Sequence, residues 1–173
     1  MKTIIILLIS AFVCLSAADP QLPGKNASRA ERTAFAIALA HQFDAWQKAN
    51  PCGVTIDPVS ATAQWMLESS WGRCELSSHT KNLGGIKGVG PAGTYNIKTG
   101  EVFKGKEVFV KDGFRAYNTF NEFFADYRKI ALKMGVAGKS GKSFYQALKD
   151  ANYATDPKYV DITTQIYNQL IKL

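Results

Sequence analysis

The sequence has little with which to hold a metal ion. Its two histidines, His41 and His79, lie far apart, and neither has neighbours at a coordinating spacing. No metal site and no cofactor are expected. Cysteine is also scarce: there are three. Cys14 falls in an N-terminal apolar run, and neither Cys52 nor Cys74 has a recognisable nucleophile setting that would make a thiol peptidase with His41 or His79. The one Gly-rich stretch, Asn82 to Gly88, lacks both a Walker lysine–hydroxyl pair and a dinucleotide spacing, so it is not a phosphate cradle. No block of Lys and Arg interleaved with aromatics suggests a nucleic-acid module. Repeats and low-complexity tracts are absent.

What is present begins with an export signal. Met1-Lys2 is basic, Thr3 to Val13 is almost wholly apolar, and Ser16-Ala17-Ala18 supplies small residues for cleavage. The run is too short for a stable membrane span. Residues 1–18 are expected to be removed, leaving a secreted chain, extracellular or periplasmic. Asp19 to Ala27, with two prolines and a glycine, reads as a leader. The formal net charge of +7 becomes +6 once Lys2 is gone, which suits an anionic partner. For an exported protein that means cell-wall polymer or a membrane surface rather than nucleic acid. Cys52 and Cys74 then remain, and two cysteines in a secreted chain most simply form one disulfide, worth on the order of 3 kcal/mol through loop closure.

The remaining chain is mostly helical by pattern. Ser28 and Glu31 form a capping box for a helix running to about Lys48. Asp57 and Pro58 start a second helix, with Val59, Ala63, Met66 and Leu67 at core spacing, Glu68 near its end and Gly72 closing it. A short polar segment, Glu75 to Lys81, leads to the Gly-rich turn. Three short strands follow, at 94–97, 101–103 and 107–110, separated by turns at 98–100 and 104–106, with a further turn at Asp112-Gly113. Thr119 and Glu122 form another capping box, for a helix burying Phe120, Phe123 or Phe124, Tyr127, Ile130 and Met134. A short helix over 143–149 and a last helix to about Ile171 complete the domain. The chemistry centres on Glu68. Trp65 and Trp71 lie three residues either side of it, and residues three apart are neighbours on a helix. A carboxyl set between two indoles is desolvated, its pKa rises, and it can donate a proton near neutral pH.

Four stretches in order now point to a family: AQWMLESSWG (63–72), NLGGIKG (82–88), FRAY (114–117) and YATDPKY (153–159). With these the chain resembles the peptidoglycan N-acetylglucosaminidases of glycoside hydrolase family 73. The resemblance spans 28–173 as one glucosaminidase domain. It implies an α+β, lysozyme-like fold, mostly helical with a small β-hairpin lobe over the active-site cleft. It also implies hydrolysis of the β-1,4 bond after N-acetylglucosamine in peptidoglycan glycan strands. Separately from the resemblance, a monomer is expected, with the oligomeric state left open by the sequence. By position, Glu68 matches the family's general acid, Glu101 a second carboxylate on the β lobe, and Tyr153 its active-site tyrosine. Asn82 belongs to the motif lining the cleft, and Trp71 and Tyr117 are candidates for sugar contact. Gly84 departs from the pattern, since the family usually carries Phe there. Two other readings use the same residues: a muramidase or lytic transglycosylase, which cuts the other bond, and a non-catalytic wall-binding module.

Overall fold

A computed structural model describes residues 18–103 and 106–172; in the hairpin, side chains are described up to residue 98 and from residue 112. The export signal expected over residues 1–18 lies, apart from Ala18, outside the described residues. Helix α1 (Arg29–Ala49) begins at the anticipated capping box: Ser28 Oγ accepts from Glu31 N at 3.2 Å, and Glu31 Oε2 accepts from Ser28 N at 2.6 Å. Phe35, Leu39 and Phe43 follow at helical spacing and are buried. α2 (Pro58–Glu68) starts where Asp57 Oδ1 accepts from Ser60 N at 2.7 Å. It is buried continuously from Ser60 to Met66. That fits a helix packed between α1 and the last helix, and it explains a stretch that is small or apolar on every side.

α2 ends at Glu68, four residues before Gly72. Ser70, Trp71 and Gly72 are all left-handed, with φ of 53°, 62° and 75°. Their backbone is held by Trp71 N donating to Met66 O at 2.7 Å and Gly72 N donating to Ser69 Oγ at 2.8 Å. Only glycine fits at 72, because a Cβ there would stand 2.8 Å from the Phe35 ring. The segment after the turn, read from sequence as merely polar, is a helix, α3 (Glu75–Thr80), capped by Cys74 Sγ accepting from Ser77 N at 3.4 Å and closed by a left-handed Lys81.

The expected Cys52–Cys74 disulfide is not formed; both cysteines are free. Cys52 precedes α2 and Cys74 follows it, and each thiol is engaged locally instead: Cys52 Sγ donates to Val54 O, and Cys74 Sγ caps α3. A reductant should therefore leave the melting temperature of the protein unchanged; a fall of several degrees would show that the bridge forms.

The three strands anticipated between 94 and 110 are two long ones. β1 (Thr94–Phe103) and β2 (Lys106–Arg115) pair antiparallel, from Thr94 opposite Arg115 to Phe103 opposite Lys106. Lys98-Thr99-Gly100 and Asp112-Gly113 run within the ladder instead of turning. Gly113 serves close strand approach: a Cβ there would lie 2.8 Å from Thr94 Cγ2. Glu101 is therefore inside β1, opposite Val108, and its side chain lies outside the described residues. Arg115 N donating to Ile86 O and Gly88 N donating to Gly113 O join the hairpin base to the Gly-rich turn.

α4 (Phe120–Lys133), α5 (Gly141–Asp150) and α6 (Tyr159–Leu170) complete the fold. The core is aromatic. Trp65 of α2 has ring centroids of Tyr127, Phe123 and Phe43 at 4.9–5.1 Å. Both Phe123 and Phe124 are buried, because Trp65 meets one edge-on and stacks on the other. Ile130 and Met134, expected inside, are only half-buried. Among the described residues no helix is long and apolar enough to cross a membrane.

The segment after residue 18 is packed on the domain. The Asp19 carboxylate accepts from Phe120 N, the first amide of α4, at 3.2 Å, and pairs with Lys81 Nζ at 2.5 Å. A carboxylate at a helix N-terminus is stabilised by unpaired amides. Asp19→Ala should cost about 1–2 kcal/mol in urea unfolding. An unchanged midpoint would mean that the strap contributes nothing.

Candidate active site

Glu68 is the last residue of α2, just ahead of the left-handed turn. It is open to solvent on one side, but protein on the others desolvates it and lifts its pKa to about 7. Among the described residues no hydrogen bond or ion pair reaches its carboxyl, so nothing opposes that rise. The walls are tyrosines. Burial and then the Glu68 charge push the Tyr153 phenol up. Tyr159 is pushed up by burial first, with smaller effects from Tyr153 and Glu68.

Tyr153 donates its hydroxyl proton to Gly84 O at 2.5 Å. This ties the loop after α5 to the Gly-rich turn. The glycine itself is buried, and a Cβ on it would sit 3.4 Å from the Tyr153 oxygen and 3.6 Å from the Phe123 ring, so a ring at this position would contest the space beside the tyrosine. Beneath lies Gln64, fully buried and one helical turn before Glu68 on the same face of α2. Its Oε1 accepts from Tyr127 at 2.6 Å. Its Nε2 faces the Tyr153 and Tyr159 hydroxyls and tempers the rise in their pKa, although neither approach has the geometry of a full hydrogen bond.

Asn82 is 1% exposed and fully used inside the protein. Its Nδ2 donates to Ile86 O and to Arg115 O, both at 2.9 Å, and its Oδ1 accepts from Ile86 N at 3.0 Å. It clamps the Gly-rich turn to the end of β2. A proton-donating carboxyl with a near-neutral pKa, a tyrosine beside it and a β hairpin fixed at its base can support acid-catalysed cleavage of a glycosidic bond.

The comparisons agree with this geometry. A profile of the glucosaminidase family, described as mannosyl-glycoprotein endo-beta-N-acetylglucosaminidase, matches residues 44–172. The chain belongs to the glucosaminidase family. This is glycoside hydrolase family 73. The chain is 34% identical over 114 residues to the exo-glucosaminidase LytG of Bacillus subtilis, covering 60% of this chain and 40% of that protein. It is 31% identical over 166 residues to the peptidoglycan hydrolase FlgJ of Escherichia coli, covering 88% and 49%. The chain thus spans about half the length, or less, of these relatives. The crystal structure of the catalytic domain of the autolysin Auto from Listeria monocytogenes superposes with a TM-score of 0.68, at 25% identity, covering 81% of this chain and 84% of that one. The lysozyme-like α+β architecture expected from the sequence is that of the family.

Within this glucosaminidase domain, Glu68 and Tyr153 come together, and two further candidates do not join them. Trp71 lies beyond the end of α2, so the helical spacing that placed its indole over Glu68 does not apply. The indole instead lies by Arg29 and Thr33 of α1 and Gln169 of α6. Trp65, the other supposed flank, is wholly inside the core. Two indoles therefore do not flank Glu68, and the side chains that feel its charge are tyrosines, Tyr153 and Tyr159 among them. Tyr117 is 4% exposed, edge-on to Phe123, and donates to Asp126 Oδ2 at 2.7 Å; Arg115 Nη1 donates to the same oxygen at 2.6 Å. The ring is structural rather than turned to sugar. Gln64 and Tyr159 escaped the sequence reading. The four-residue spacing from Gln64 to Glu68 was a usable signal; nothing local placed Tyr159 beside them.

Proposed function

We propose that this domain, exported from the cell, hydrolyses the β-1,4 bond after N-acetylglucosamine in peptidoglycan, with Glu68 as general acid. The observation that carries the reading is the Glu68 carboxyl, raised to a pKa of about 7 at the open end of α2. Near neutral pH it is protonated often enough to give its proton to the leaving oxygen and, as a carboxylate afterwards, to be recharged from water. Water attacks the anomeric carbon, assisted by Glu101 from the hairpin or by the substrate's own acetamido group. Tyr153 has a defined part. Its proton is committed to Gly84 O and the Gln64 amide faces its oxygen, so the phenol is fixed beside Glu68, where it bounds the space for the sugar's acetamido group. The peptidoglycan relatives support the substrate class, and the basic charge suits a polymer bearing carboxylates.

The test is digestion of purified peptidoglycan by the domain, with new reducing ends identified by mass spectrometry. N-acetylglucosamine ends are expected. Muramic acid or anhydromuramic ends would assign the domain to a muramidase or a lytic transglycosylase. Binding without new ends would leave a wall-binding module.

A further inference from the structure

A groove separate from the Glu68 carboxyl runs between the start of α1 and the second half of α6. Its volume is about 520 Å³, within the range of small-ligand sites. Arg29 and Thr33 form one side, Gln165, Asn168 and Gln169 the other, and Trp71 closes it. Four features set it apart from ordinary solvated surface. It holds a tryptophan whose indole is only half-buried. The backbone there is left-handed at both Ser70 and Trp71, a conformation that bulky residues seldom adopt and that persists where surrounding structure imposes it. Among the described residues, the side chains of Arg29, Gln165, Asn168 and Gln169 have no hydrogen-bond or ion-pair partner. Among the described residues no acidic side chain lines the groove, whereas Arg29 and Lys172 do.

We propose that this groove is a second saccharide site, binding a peptidoglycan glycan strand away from the bond being cut. Trp71 supplies a ring face for a sugar, the amides of α6 meet hydroxyl and acetamido groups, and Arg29 meets the carboxylates of the lactyl or peptide arms. The proposal rests on the reading that peptidoglycan is the substrate. It supplies wall retention from within the domain, and it explains why a tryptophan occupies a left-handed turn pointing away from Glu68.

The test uses a Glu68→Gln background, so that the wall is not consumed, and sedimentation with purified peptidoglycan sacculi free of other polymers. Arg29→Gln combined with Gln169→Ala changes two exposed side chains and should weaken binding about tenfold, with the melting temperature kept. Trp71→Ala should do the same. Unchanged binding of the double variant overturns the proposal, even if Trp71→Ala binds poorly, because that change also alters the turn. Equal competition by polyglutamate and by soluble glycan fragments also overturns it, since the groove would then be a charge patch. Release of reducing ends by the unaltered domain is measured in parallel. Loss of binding without any cleavage by that domain would count against Glu68 chemistry alone, and cleavage with binding unaffected would count against the groove alone.

Discussion

Glu68→Gln should lower the turnover of peptidoglycan cleavage by about 10²–10⁴-fold, the usual contribution of a general acid. Glutamine keeps the shape of the side chain and cannot donate the proton. The pH profile gives the sharper test. The acid must be protonated, so activity should decline as pH rises through the raised pKa of about 7. The same shift has a stability consequence of fixed sign. In the folded protein the carboxyl holds its proton more tightly than in the unfolded chain, where its pKa is the ordinary 4.5. Its stability contribution is therefore complete below about pH 4.5 and is lost as pH rises through about 7. Glu68→Gln removes that loss. Above about pH 7 the variant should melt at or above the temperature of the unaltered domain, with a shallower dependence on pH. A variant that is inactive and melts lower at every pH would make Glu68 a structural residue. A variant retaining full activity would end the general-acid reading.

Asn82→Ala should be the most destabilising single change in the Gly-rich turn. It strands Ile86 N and Arg115 O, both paired only through the Asn82 amide in this region, while Ile86 O keeps the Arg115 N bond. Two buried groups left unpaired cost about 2–4 kcal/mol, a fall in melting temperature on the order of 5–15 °C for a domain of this size. Activity should fall with it, because the same turn carries Gly84, which holds Tyr153, and the hairpin base, above which Glu101 sits. The outcome separates two roles for a cleft-motif asparagine. Loss of activity with an unchanged melting temperature would mean that Asn82 meets substrate. Loss of both, partly recovered at lower temperature, is expected of a clamp.

Much of the architecture was legible because it rests on local chemistry. Ser28 with Glu31, Asp57 with Pro58, and Thr119 with Glu122 each mark a helix start through short-range capping, and all three helices begin there. Helix ends were less legible. Gly72 looked like the stop of α2, but the helix closes at Glu68 through Ser69, whose hydroxyl donates to Trp65 O. That difference removed Trp71 from the face of Glu68. Strand length failed for a similar reason. Gly100 and Gly113 resemble turn residues until the partner strand is present, when Gly113 proves to be the place where Thr94 needs room.

The sequence by itself determined that a carboxylate ends an apolar helix, that a Gly-rich turn and a β excursion follow, and that the motifs are those of the glucosaminidase family, because capping, periodicity and motif order are all properties of residues near one another in the chain. Only the tertiary structure decided that Cys52 and Cys74 stay free, each bonded locally, that Asn82 and Tyr117 spend their polar groups inside the protein, and that Gln64, Tyr153 and Tyr159 converge beside Glu68. Those outcomes depend on which surfaces of distant segments are packed together, and packing, through desolvation, is also what turns an ordinary glutamate into an acid poised near neutral pH.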